Sequence, residues 1–132
     1  MKNSILIVDD SEDTRELFKA TLEAEGFAVF EAADGEKALE LLLSNQHFSL
    51  MLLDLSMPHM TGYELLETMQ RQDIRRSMPI MLVSAAGNLN KILVPENVID
   101  TLKKPFFYPE LIFKIKEVHG LRPEMGADIA PH

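Results

Sequence analysis

Four apolar runs in this chain each stop on a polar or charged residue. Residues 5–8 end at Asp9 and Asp10, residues 50–53 at Asp54, residues 80–83 at Ser84, and residues 98–102 just before Lys103 and Lys104. Short apolar runs bounded by turn residues read as buried strands. The stretches between them carry helical spacing, which is the alternation of a parallel sheet covered on both faces. The carboxyl ends of parallel strands share one rim, where open α/β proteins bind ligands. The pattern predicts three carboxylates, a hydroxyl and an ammonium on that rim, the outline of a phosphate and metal site.

The predicted strands are residues 4–8, 27–32, 50–53, 80–83 and 98–102. A first helix is expected over 12–25, capped by Asp10 or Ser11 and closed by Gly26, with Leu17, Phe18 and Leu22 facing inward. A second, over 36–45, is entered through Asp34 and Gly35 and turns Ala38, Leu41 and Leu42 to one side. A third, over 62–72, carries Leu65, Leu66 and Met69 at helical spacing. Residues 87–94 are only mildly helical and Pro95 must end them, so a fourth helix is short. The last helix is expected over 109–119, opened by Pro109, with Leu111, Ile115 and Val118 inward. Residues 120–132 hold two Gly and two Pro without periodicity; they are expected to be a flexible C-terminal tail beyond a domain of residues 1–119.

The 132 residues fit one domain with a real core. No apolar run approaches the roughly 18 residues of a membrane helix, and the N-terminus lacks a signal-peptide pattern, so a cytoplasmic location without membrane contact is expected. The absence of cysteine removes disulfides and thiol catalysis. Gly26, Gly35, Gly62 and Gly87 are isolated, which argues against the glycine-rich loop of a nucleotide enzyme. His47, His59, His119 and His132 lack metal-ligand spacing and read as surface residues. Net charge is −8, with 15 acidic and 5 basic residues in 1–73 against 6 and 8 in 74–132. Such an acidic first half does not suit direct nucleic-acid binding, which draws on Lys and Arg against phosphates, and a protein partner is expected instead.

Taken singly, each rim residue has an ordinary reading: one of Asp9 and Asp10 caps a helix, Asp54 starts a turn, Ser84 ends a strand, Lys104 is solvated. Together they read differently. Adjacent carboxylates aimed at one crevice repel, and a hard divalent cation such as Mg²⁺ relieves the repulsion. Asp54 ends the run that reads as the most buried strand, where a carboxylate must be paired, hydrated or metal-bound, and an aspartate can act as a nucleophile towards phosphorus. Ser84 and Lys104 are the groups needed to bind phosphoryl oxygens, and Lys104 would neutralise Asp54 at rest. Pro105 makes the Lys104–Pro105 peptide bond a candidate for the cis form.

With these residues assembled, residues 3–119 resemble the receiver domain of two-component response regulators. The resemblance rests on Ile-Leu-Ile-Val-Asp-Asp at 5–10, Leu-Leu-Asp-Leu-Ser-Met-Pro at 52–58 followed by Gly62, Val-Ser-Ala at 83–85 and Lys-Lys-Pro-Phe at 103–106. It implies a flavodoxin-like doubly wound sheet of five parallel strands, order 2-1-3-4-5, flanked by five helices. It further implies that Asp54 takes a phosphoryl group from a sensor histidine kinase or histidine phosphotransfer protein. Asp9 and Asp10 would hold Mg²⁺ with the Asp54 carboxylate and the Ser56 carbonyl, Ser84 and Lys104 would bind the product, and the switched surface would act on a downstream protein target. In this family the position three before the site lysine is commonly an aromatic that couples to the hydroxyl residue; here it is Thr101. Two other readings compete: a receiver-like interaction module that works without phosphorylation, and an aspartate-nucleophile phosphatase of the haloacid dehalogenase type. The second requires an Asp-x-Asp pattern that Asp9-Asp10-Ser11 lacks.

Overall fold

The computed structural model describes residues 3–57, 60–85 and 95–121. Five strands, β1 (Ser4–Val8), β2 (Ala28–Ala32), β3 (Leu50–Asp54), β4 (Ile80–Ser84) and β5 (Val98–Lys103), form one parallel sheet in the order β2-β1-β3-β4-β5. Four helices lie among the described residues: α1 (Glu12–Ala24), α2 (Gly35–Leu42), α3 (Gly62–Arg71) and α4 (Tyr108–Val118). The short helix expected over 87–94 falls at residues outside those described, as does the tail from residue 122 onward.

Side chains alternate across each strand, and this divides the core into two layers. Leu6, Val8, Met51, Leu53, Ile80 and Leu82 pack against Ala38 and Leu42 of α2 and Leu65, Leu66 and Met69 of α3. Ile5, Ile7, Leu50, Leu52, Met81 and Val83 turn the other way, onto Phe18 and Leu22 of α1 and Leu111 and Ile115 of α4. Each such side chain, buried on both sides, contributes about 1.5–3 kcal/mol. This explains why the three central strands read as unbroken apolar runs.

The helix ends follow local chemistry. Ser11, rather than either preceding aspartate, caps α1 by accepting the Thr14 N–H. Its other end closes on Gly26 at φ +95°, with Phe27 N–H donating to the Leu22 carbonyl, a turn that needs the left-handed conformation glycine allows. Thr61 and Glu64 cap α3 reciprocally. Pro109 stands at the second position of α4, one residue further in than expected.

Two expectations fail. Leu17 does not face inward: it is 51% exposed, because at 100° per residue it lies a step around the helix from the buried pair Phe18 and Leu22. α2 stops at Leu42 instead of 45. There the last carbonyls leave the helix ladder, the Ser44 hydroxyl donating to Leu41 (2.6 Å) and the Arg75 guanidinium to Leu42 (2.9 Å). Arg75, itself at φ +52°, also donates to the carbonyls of Ser44 and Gln46 and lies over the Phe48 ring.

Candidate functional site

Asp9 and Asp10 follow the last residue of β1, Asp54 and Ser84 end β3 and β4, and Lys104 follows β5, so all five reach the same rim. Carboxylate oxygens of Asp9, Asp10 and Asp54 lie within 4.8 Å of one another. Asp9 and Asp54 are buried and Asp10 is exposed, which leaves the cluster open on one side. Asp9 is held at every polar atom. Its N–H donates to the Ala32 carbonyl, its Oδ1 accepts from Ser11 N–H (2.9 Å), its Oδ2 accepts from Lys104 Nζ (3.1 Å), and its carbonyl accepts from Arg15 Nη1 (2.8 Å).

Lys104 pairs with Asp54 Oδ2 at 3.7 Å, as its expected neutralising role requires, and its hydrogen bond goes to a second carboxylate, Asp9. Asp54 Oδ1 accepts instead from the N–H of Ser56 (3.0 Å), which places Ser56 directly beside the acidic group. Ser84 is buried, and its carbonyl accepts the Lys104 N–H at 2.8 Å, so the β4 and β5 ends of the site are tied through the backbone. The Lys104–Pro105 bond is cis. Thr101 is exposed on β5, paired in register with Leu82.

Burial pushes the Asp54 carboxyl above its ordinary value. The Ser56 N–H and Lys104 oppose this, while the charges of Asp9 and Asp10 reinforce it. Burial acts against the Lys104 ammonium, but the Asp9 hydrogen bond and the charges of all three aspartates more than compensate, so it too is raised. Both groups are thus driven towards holding a proton. The site carries more negative charge than its own lysine neutralises, and its all-oxygen donor set is what a hard divalent cation takes.

Gly62 brings α3 against this rim. A Cβ there would stand 2.5 Å from the Asp54 carbonyl oxygen and 2.7 Å from the Leu55 Cα, contacts with backbone that cannot give way.

Two residues at the rim escaped the sequence reading. Arg15 joins the Asp9 carbonyl to Glu31 of β2, with Nε 3.2 Å from Glu31 Oε1. The available signal was an arginine in the second turn of a helix, near the end whose dipole disfavours cations, which calls for a local anion or acceptor. Tyr108 packs with Phe106 (5.1 Å between centroids) against Phe18, and burial raises its phenol, with Lys104 and Asp9 acting on it in opposite senses. Of the histidines, His47 is exposed as expected, and His59 and His132 lie outside the described residues. His119 is not a free surface residue: it is half-buried, its Nε2 2.6 Å from Ser49 Oγ and its Nδ1 2.7 Å from the Ile115 carbonyl. Its place at the end of α4, over Phe27, accounts for the difference.

Residues 5–116 match the family model described as the response regulator receiver domain. The transcriptional regulatory protein CpxR of Escherichia coli (strain K12) is 37% identical over 118 residues, which are 88% of this chain and 49% of CpxR. SrrA of Staphylococcus aureus (strain NCTC 8325 / PS 47) is 35% identical over 118 residues, 88% of this chain and 47% of SrrA. The chain therefore spans about half the length of the curated relatives it matches. Among solved structures, the response regulator protein TrrA of Thermotoga maritima, crystallised in complex with Mg²⁺ and BeF, superposes with a TM-score of 0.77 at 30% identity, covering 89% of this chain and 99% of TrrA. No helix among the described residues is long and apolar enough to cross a membrane. By family match, relatives and strand order together, the chain belongs to the response regulator receiver domains.

Proposed function

We propose that this chain is a phosphoacceptor: Asp54 takes a phosphoryl group from a histidine kinase or histidine phosphotransfer protein in the cytoplasm, and the modified rim switches a surface read by a downstream protein. The domain that does this comprises residues 1–119. The observation that carries the reading is the meeting of three carboxylates within 4.8 Å of one another beside a single lysine that incompletely neutralises them.

The donor set fits Mg²⁺, with Asp9, Asp10, Asp54 and the Ser56 carbonyl as its ligands. When bound, the ion supplies charge that offsets repulsion between the carboxylates and the incoming phosphoryl oxygens. The chain's own residues do the rest. Asp54 is a buried carboxylate at the end of the central strand, fixed through Oδ1 by Ser56 N–H, so it meets the donor in one orientation. An O–P bond forms at Asp54 as the N–P bond of the donor's phosphohistidine breaks, and the electron pair returns to the imidazole nitrogen. The product brings negative charge to a site already short of cations. The Lys104 ammonium, shared between Asp9 and Asp54, is placed to donate to a phosphoryl oxygen, and the Ser84 hydroxyl to a second. Because Ser84 and Lys104 are joined backbone to backbone, a shift of either is felt by both strands. Apart from this self-catalysed gain and later hydrolysis of phosphate, no enzymatic turnover is expected.

Incubation with acetyl phosphate and Mg²⁺, followed by intact-mass measurement and peptide mapping, tests the reading. The expected result is one acid-stable, base-labile phosphoryl adduct on Asp54. No adduct on the wild type, or an equal one on Asp54→Asn, leaves the reading as an interaction module that works without phosphorylation.

A further inference from the structure

The site geometry contains one cation that the phosphoacceptor chemistry does not use. Arg15 lies on the first two turns of α1, and its side chain runs back towards the N-terminal end of its own helix, as helical side chains do. Three hydrogen bonds locate it. Its backbone N–H donates to the Ser11 carbonyl (3.0 Å), its Nη1 to the Asp9 carbonyl (2.8 Å), and its Nε to Glu31 Oε1 (3.2 Å) on β2. Only 14% of the side chain is exposed. Glu31 is in turn fixed in register with Ile7 of β1 and approached by Lys19 at 3.9 Å.

Resting on the phosphoacceptor reading above, we infer that Arg15 is a positioning residue for the Asp9–Asp10 carboxylate pair. A peptide unit is planar, so holding the Asp9 carbonyl fixes the plane that leads into Asp10. The Asp9 N–H is already held by Ala32 and the Asp9 carboxylate by Ser11 and Lys104. The carbonyl is the remaining handle on that stretch, and Arg15 takes it. Asp10 is exposed, so its direction depends on the backbone that precedes it. The planar fork of arginine can hold a carbonyl and a carboxylate at once, which a lysine ammonium does not reproduce.

The alternative role for Arg15, plain charge balance, has the opposite sign. A cation near a cation site repels the ion, so removing it for charge alone should tighten Mg²⁺ binding, whereas loss of positioning should loosen it.

Calorimetric titration of the unphosphorylated chain with MgCl₂ at constant ionic strength separates the two, with urea midpoints measured in parallel. Arg15→Ala is expected to weaken Mg²⁺ about tenfold, within the range of outer-shell changes at metal sites. Arg15→Lys should recover part of this and remain about threefold weaker than wild type. Glu31→Gln keeps an acceptor for Nε and should stay within about twofold. In metal-free protein the Asp10 and Ser11 amide resonances should move in Arg15→Ala and stay in Glu31→Gln. Wild-type Mg²⁺ binding with equal or tighter binding by Arg15→Ala would overturn the inference alone. If Arg15→Ala does not fold, Arg15→Lys decides: affinity equal to wild type overturns it, weaker affinity supports it. Absence of Mg²⁺ binding by the wild type would overturn the phosphoacceptor reading and this inference together.

Discussion

β3 and β5 both deliver a functional group to the rim, and they are built in opposite ways. β3 runs between β1 and β4, and all five of its residues are buried, Asp54 included at 5% exposure. β5 is the edge of the sheet with β4 as its one strand neighbour; its burial alternates, and Leu102 is its only fully buried side chain. The Asp54 carboxylate therefore stands on a strand buried along its whole length, and burial is the main cause that raises its pKa. Lys104 rides on the margin, partly buried, reaching two carboxylates without belonging wholly to either. On the proposed phosphoacceptor role, a buried carboxylate and a cation shared between two carboxylates would suit one geometry for transfer and another for the product.

Substitutions at the two strands test that contrast. Asp54→Asn should abolish the acetyl-phosphate adduct completely while the fold gains stability at neutral pH. The sign follows from the raised carboxyl: the folded state holds the Asp54 proton more tightly than the unfolded chain, so its ionisation costs stability as pH rises through the raised value. Urea midpoints of wild type and variant should converge below pH about 4. Gly62→Ala, whose Cβ would meet the Asp54 and Leu55 backbone, should cost about 3 kcal/mol by urea unfolding, since neither β3 nor α3 can retreat cheaply. An unchanged midpoint would mean that β3 is less rigid than its burial implies. Lys104→Met should cost about 1–3 kcal/mol in metal-free buffer by leaving Asp9 without its cation. Added Mg²⁺ should then raise the urea midpoint of the variant more than that of the wild type. Thr101→Phe, on the exposed side of β5, should move the midpoint by no more than about 0.5 kcal/mol and leave adduct formation unchanged.

The three central strands were legible because burial on both faces demands apolar runs, and the end of each run gave a rim residue directly. Asp9, Asp54 and Ser84 follow from that rule. The hydrogen bond of Lys104 to Asp9, beside its ion pair with Asp54, did not, because which carboxylate an ammonium approaches more closely depends on distances of a few tenths of an ångström between separate strands. The end of α2 was hidden for a similar reason: the arginine that takes its last carbonyl is 33 residues further along the chain. Arg15 was nearer at hand. An arginine at a helix start lacks an obvious local reason, and that mismatch was the signal.

Arg75 reaches beyond the end of α2. By donating to Leu42, Ser44 and Gln46 and covering Phe48, one guanidinium moors the whole connection from α2 into β3 at the amino end of the sheet. Opening that connection requires three hydrogen bonds to break together, so its local unfolding is cooperative and infrequent. The base of the domain is clamped in this way, so the proposed switching would leave it in place and fall to the opposite end of the sheet.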